Sequence, residues 1–205
     1  MPVVTVANPK GGVGKSTLAT QVAGYFASRG AGVMLGDVDR QHSSLTWLKL
    51  RPAEARPIAG WDATDSDVLR PPRGTTHVVL DTPAGLHGRT LREVIKRSDK
   101  LLIPLQASIF DMYATRAFLD DLLEHRRATG LDIGVVGMRV DARTIAADKL
   151  HEFGATLGLP VLGYLRHTQN YIQLAAHGLT LFDLAPERVA RDLEQWSGIC
   201  AWLDK

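Results

Sequence analysis

Short, nearly unbroken apolar runs alternate along the chain with longer stretches in which apolar residues recur every three or four positions. Runs at Val3–Ala7, Val33–Asp37, His77–Asp81, Leu101–Pro104, Ile133–Met138 and Val161–Leu165 read as strands covered on both faces, because a half-exposed strand would alternate instead. Helical spacing lies between them, over Ser16–Arg29, Leu91–Arg97, Met112–Thr129 and Ile145–Leu157. Two further helices are expected after the last strand, around Tyr171–His177 and over Pro186–Leu203. Gly30, Gly130, Gly158 and Gly178 stand where helices should stop. This alternation predicts right-handed crossovers and an α/β architecture: a doubly wound, mostly parallel sheet with helices on both faces. Arg51–Thr76, rich in Pro, Gly, Asp and Arg, reads as a surface excursion, so residues 1–205 are expected to form one domain.

Composition narrows the function. With 45% hydrophobic and 22% charged residues the chain has the balance of a globular protein. No apolar run approaches the ~20 residues of a membrane-spanning helix, and the N-terminal sequence lacks the basic flank and long apolar stretch of a secretory signal. A lone cysteine, Cys200, forms no disulfide within the chain, which fits a reducing cytoplasm. A net charge of +2 is far from that of a DNA-packaging protein, so contact with nucleic acid would need a local patch. The seven histidines show no metal-ligand spacing, and no G-x-S-x-G elbow occurs.

The strongest chemical signal is Asn8-Pro9-Lys10-Gly11-Gly12-Val13-Gly14-Lys15-Ser16-Thr17, between the first strand and the first helix. Glycines there let successive backbone N–H groups turn toward phosphate oxygens, and the helix N-terminus adds partial positive charge. Lys15 is placed to bridge the outer phosphates and the Ser16 hydroxyl to coordinate magnesium. Pro9 stands where the usual phosphate loop has its first glycine, and a second lysine, Lys10, is present. In this the chain resembles the deviant Walker A ATPases of the ParA/MinD family, whose loop reads K-G-G-x-G-K-[ST]. The resemblance implies a P-loop NTPase fold, ATP and Mg2+ as ligands, and binding through Lys10, Gly11, Gly12, Val13, Gly14, Lys15, Ser16 and Thr17. It also implies a homodimer that forms on ATP, in which Lys10 reaches the partner's phosphates; Lys10, Lys15 and Asp39 are then the catalytic set.

Two acidic strand ends extend the resemblance. Asp37 and Asp39, in Asp37-Val38-Asp39-Arg40-Gln41, are two apart and so share a face of an extended chain. The match to the family's D-x-D-P-Q segment implies that Asp39 orients the attacking water while Asp37 supports the magnesium shell. Arg40 and Gly36 depart from that pattern. Asp81, closing the run Val78-Val79-Leu80-Asp81, resembles the Walker B aspartate and would hold magnesium through water. Gly85 follows in the second switch. With carboxylates that only position water, phosphoryl transfer is expected to be slow without a partner.

The resemblance continues to the C-terminal segments. Met138 and Arg139 fall where the family cradles adenine, although asparagine is common at the position of Met138. Tyr164–Tyr171 and Ala175–Asp183 resemble the end of short ParA proteins, and no helix-turn-helix precedes the phosphate loop. By resemblance, Arg139 and Arg166 are candidates for non-specific DNA contact in the dimer, and hydrolysis would be stimulated by a ParB-like or other cargo-bound adaptor on the nucleoid. Arg89, Arg92, Lys96 and Lys100 recur at roughly helical spacing and read as a solvated face. Val189, Leu193, Trp196, Ile199 and Leu203 form an apolar stripe whose polar side carries both charge signs, which favours core packing over a basic membrane-surface helix. The sequence therefore reads as a ParA-type partition or positioning ATPase, with membrane contact not expected. The rival readings are a MinD-like membrane-surface regulator and a metabolic P-loop ligase or kinase.

Overall fold

The computed structural model describes residues 1–63 and 71–205, with residues 124–129 described by their backbone alone. The elements in chain order are β1 (Val3–Val6), α1 (Lys15–Ser28), β2 (Val33–Asp37), α2 (Ser43–Lys49), β3 (Ile58–Asp62), β4 (His77–Asp81) and α3 (Gly88–Lys96). They continue with β5 (Lys100–Gln106), α4 (Ile109–Thr129), β6 (Asp132–Val140), α5 (Ile145–Ala155), β7 (Val161–Arg166), α6 (Gln169–Ala176) and α7 (Ala190–Leu203). Among the described residues seven strands form one sheet in the order β3-β2-β4-β1-β5-β6-β7, every neighbouring pair parallel.

Two apolar layers sandwich this sheet. One packs α1, α2, α6 and α7 through residues such as Leu18, Phe26, Trp47, Leu174 and Trp196. The other packs α3, α4 and α5 through Leu91, Ile95, Leu119, Leu122 and Leu150. With both faces covered, the central strands are fully buried, as their unbroken apolar runs require. The stripe on α7 is indeed core: Trp196 and Ile199 are inaccessible, and Trp202 and Leu203 are nearly so.

Two elements differ from the sequence reading, and the first falls within Arg51–Thr76, expected to be an irregular excursion. Ile58–Asp62 is an edge strand pairing with β2, from Val33 opposite Ile58 to Asp37 opposite Asp62. It is only half-buried, and Gly60 interrupts its apolar character, so no clean run marks it. Residues 64–70 of that stretch lie outside the described residues. The second element, α2, was not anticipated at all; its N-terminus is capped by a carboxylate seven residues earlier rather than by a neighbouring side chain. At its other end Arg51 donates to Asp183 through two bonds, 2.8 and 3.0 Å, and to the Gly178 carbonyl at 3.0 Å. Both side chains of that pair are buried.

Smaller differences follow from capping. α7 begins at Ala190 because Pro186–Arg188 forms a separate 3-10 turn. Lys100 does not join the exposed face of Arg89, Arg92 and Lys96; it lies on β5 and donates to the carbonyl of Trp202 at the end of α7.

Candidate functional site

The strand order reverses at β1, whose neighbours are β4 and β5, and the crevice beyond such a reversal is where open α/β sheets bind ligands. The loop after β1 occupies that crevice. Gly12 and Gly14 have φ of 75° and 100°, values that a side chain would strain, and Gly14 is the residue from which α1 departs. The loop is braced from beneath. Asn8, fully buried, accepts from the Lys10 N–H at 2.8 Å and donates to the Pro104 carbonyl at 2.8 Å and the Thr115 hydroxyl at 3.0 Å. The Pro9 carbonyl accepts from the Gly85 N–H at 2.8 Å, tying this loop to the second switch. Gln106, from the end of β5, donates to the Gly12 carbonyl at 2.9 Å.

These contacts shape a cleft of about 540 Å³ lined by backbone and side chains of Gly11, Gly12, Gly14, Lys15, Ser16 and Thr17, with Asp39, Gln41, Ser43, Pro83, Ala84 and Arg139 across from them. Lys15 donates to the Lys10 carbonyl at 2.8 Å, which holds the ammonium folded back over its own loop. Burial lowers its pKa, while Asp81 and Asp39 pull in the opposite direction. Val13 is buried in the core, so only its main chain is available to a ligand. Lys10 lies outside the cleft lining, and its ammonium has no hydrogen-bond partner among the described residues.

The three predicted carboxylates separate into two classes. Asp39 lines the cleft. Asp37 is inaccessible and faces α2: it accepts from the N–H groups of Asp39 at 3.0 Å, Ser44 at 2.9 Å and Leu45 at 3.3 Å. Of this pair only Asp39 lines the cleft, because the N-terminus of α2 claims Asp37. Asp81 sits beside Asp37 in the sheet register. Burial raises its pKa to about 6, opposed by hydrogen bonding from Ser44 and Ser16 and by the charge of Lys15. Asp37 is raised for the same first reason.

A second hollow, of about 480 Å³, adjoins Gly14 and Thr17 on the side away from Asp39. Met138, Arg139, Leu165, Arg166, His167, Thr168, Tyr171 and Ile172 contribute to its wall. Met138 is buried against the phosphate loop; a Cβ on Gly14 would meet its Cε at 2.9 Å. Arg139 is exposed and has φ of 53°, a left-handed backbone unusual for a side chain of its size. Arg166, a candidate for DNA contact, is instead turned into the protein: its Nε donates to Asp192 at 2.6 Å and its Nη2 to the same carboxylate at 3.2 Å. Asp192 is inaccessible and also accepts from Asn170.

Residues 4–181 match the CobQ/CobB/MinD/ParA nucleotide binding domain. The chain belongs to this family. The maintenance of carboxysome distribution protein A of Gloeobacter kilaueensis is 31% identical over 185 residues, spanning 78% of this chain and 83% of that protein. Protein ParA of Rhizobium radiobacter is 28% identical over 156 residues, 75% of this chain and 69% of the relative. Among solved structures, the MinD cell division protein of Aquifex aeolicus shares the fold with a TM-score of 0.73 at 15% identity, covering 99% of this chain and 96% of that one. The fold is accordingly that of a ParA/MinD-type P-loop ATPase.

The residues present fit a magnesium ion of the kind this family implies. Asp81 Oδ1 is a buried carboxylate oxygen with no hydrogen-bond partner among the described residues, and Ser16, which lines the cleft, carries a hydroxyl near enough to act on the Asp81 carboxylate beneath it. The described residues contain no cluster of three or more His, Cys, Asp or Glu suited to a metal. One carboxylate oxygen and one hydroxyl are enough for magnesium, which keeps several waters and relies on one or two protein oxygens plus phosphates. Asn8, Gln106 and Ser44 brace the loop and the carboxylates beneath it, and sequence reasoning gave them no role of their own. Asn8-Pro9 carried a recognisable turn signal, whereas the other two are brought in by tertiary structure alone.

Proposed function

We propose that the chain is an ATP-dependent positioning ATPase of the ParA type. ATP and magnesium bind across Gly11–Thr17, with Lys15 on the outer phosphates, and Ser16 and Asp81 serve the metal. The bound ion would supply charge neutralisation at the phosphates. Asp39 orients the attacking water; as it only positions, turnover is slow until a partner protein completes the site. Two copies then close over the nucleotide, each Lys10 reaching the other's phosphates.

The observation that carries this reading is the contrast between the two lysines. Lys15 is folded into its own loop, whereas Lys10 stands outside the cleft lining without a partner among the described residues. Support for a face-to-face dimer also comes from Ile109, Phe110, Tyr113 and Ile145, all more than half exposed and all following the carboxyl ends of β5 and β6, on the cleft's edge of the sheet. Of the two arginines considered for DNA, Arg139 is the one with an exposed side chain and remains the candidate, while the ion pair with Asp192 argues against Arg166. The cargo is proposed to be a large assembly or replicon carried over the nucleoid through an adaptor, in keeping with what the relatives' names describe.

The test is ATP-dependent assembly. Wild-type protein should run as a dimer with a non-hydrolysable ATP analogue and retard random duplex DNA more strongly at low than at high salt. Lys10→Ala should keep nucleotide binding and lose the dimer; a Lys10→Ala dimer as tight as wild type would refute the assignment. The MinD-like membrane reading is less favoured because the apolar face of α7 is already covered. No helix among the described residues is long and apolar enough to cross a membrane. Stimulation of ATP turnover by a small metabolite instead of DNA and a protein partner would favour the metabolic alternative.

A further inference from the structure

Ser44 bridges the two buried carboxylates at the carboxyl edge of the sheet. Its N–H donates to Asp37 Oδ2 at 2.9 Å, and its hydroxyl donates to Asp81 Oδ2. The residue is itself inaccessible. Asp37 and Asp81 are register partners on adjacent strands, so one serine ties together two like charges that would otherwise repel. Asp81 Oδ1 is left without a partner. A bare buried carboxylate oxygen is costly, which makes the hydrogen bond that decides which oxygen stays bare worth attention.

We propose that Ser44 is a positioning residue for magnesium: its hydroxyl fixes Oδ2 of Asp81 and so reserves Oδ1 as the acceptor for the hydrated ion. Because Ser44 is in the first turn of α2, and Asp39, Gln41 and Ser43 just before it line the cleft, the same bond couples metal occupancy to the seating of the switch. Without this hydroxyl Asp81 loses the hydrogen bond that fixes which of its oxygens is held and which stays open. Partners that orient a metal-binding group, without touching the metal, typically contribute ~10–100-fold to metal affinity. The backbone N–H that Ser44 gives to Asp37 survives substitution, so α2 keeps its cap and the hydroxyl can be tested separately from the helix. This inference rests on the nucleotide-binding reading above.

The experiment titrates Mg2+ into the full chain with a fluorescent ADP analogue and repeats the binding in EDTA. Ser44→Ala should raise the Mg2+ concentration for half-maximal tightening about tenfold while leaving affinity in EDTA within about twofold. Ser44→Thr, which keeps the hydroxyl, should retain the wild-type Mg2+ midpoint. An unchanged midpoint in Ser44→Ala overturns the proposal. So does an equal loss of affinity with and without Mg2+, which marks a merely structural role. If Ser44→Ala fails to fold, a tenfold shift in folded Ser44→Thr overturns it equally. Wild-type protein that never binds the analogue fails the nucleotide reading itself, and with it this inference.

Discussion

The two hollows of the crevice, proposed here as the phosphate side and the base side of one nucleotide site, are built from different materials. On the phosphate side the surface is mostly main chain: the left-handed turns at Gly12 and Gly14, the start of α1, and carbonyls held by Gln106 and Lys15. On the base side the wall is side chains, with Met138, Leu165, Tyr171 and Ile172 supplying apolar surface. Polar groups there are already engaged from behind, Arg166 by Asp192 and the Tyr171 hydroxyl by the Trp196 indole N–H at 2.9 Å. A backbone grip recognises any polyphosphate and tolerates little change. A side-chain wall can change residue by residue, provided the network behind it holds.

This contrast is open to direct attack. The largest effect is expected at Asp81. Its folded-state pKa is raised from 3.8 to about 6, so the fold binds the proton more tightly than the unfolded chain does. Its contribution to stability is fully present below about pH 4 and is lost as pH rises through about 6, a change of about 3 kcal/mol. Asp81→Asn should therefore stabilise the nucleotide-free protein at pH 7.5 by up to that amount, with the gain shrinking toward pH 4. Urea unfolding at several pH values checks this; no gain at pH 7.5 would show that the buried carboxylate is not under strain.

Next comes Lys15→Ala, which removes the ammonium proposed to meet the outer phosphates. ATP affinity should fall about 100-fold by calorimetry, and tripolyphosphate affinity should fall in parallel. On the base side, Asp192→Ala leaves a half-buried Arg166 unpaired and should cost about 2 kcal/mol in urea unfolding, discounted from a fully buried pair because the guanidinium is partly exposed. In the folded variant ATP binding should weaken while tripolyphosphate binding holds; an equal loss of both would erase the distinction between the two sides. The smallest effect is expected from Met138→Asn, which restores the family's usual side chain at the base. It should shift the preference between ATP and GTP by about fivefold, roughly the worth of one neutral hydrogen bond, in competitive titrations.

The same contrast explains what could be read from the chain. Phosphate loops are written locally, as glycines and a lysine between a strand and a helix, so Gly11–Thr17 was legible residue by residue. The buried central strands were legible too, because both faces are apolar. Asp81 stood out as a carboxylate closing such a run. β3 escaped because a half-covered edge strand needs few apolar residues, and Ile58 and Trp61 are its only large ones. α2 escaped because its cap, Asp37, is supplied from a strand end, and Asp37 was assigned to the metal instead. The Arg166–Asp192 pair joins positions 26 residues apart, on elements that meet only in the folded chain. Sequence marks a cation there, but only packing decides whether it faces DNA or a carboxylate.

The clamp between Arg51 and Asp183 gives α2 a second point of attachment. One end of α2 is hung on the carboxylates beneath the phosphates, and the other is pinned through a buried two-pronged bond to the segment that follows α6. A rod fastened at both ends cannot tilt at one without loading the other. Any shift of α2 must therefore either break that bond or move residues 178–183 with it, so this helix and the segment after α6 behave as one unit on their shared face of the sheet.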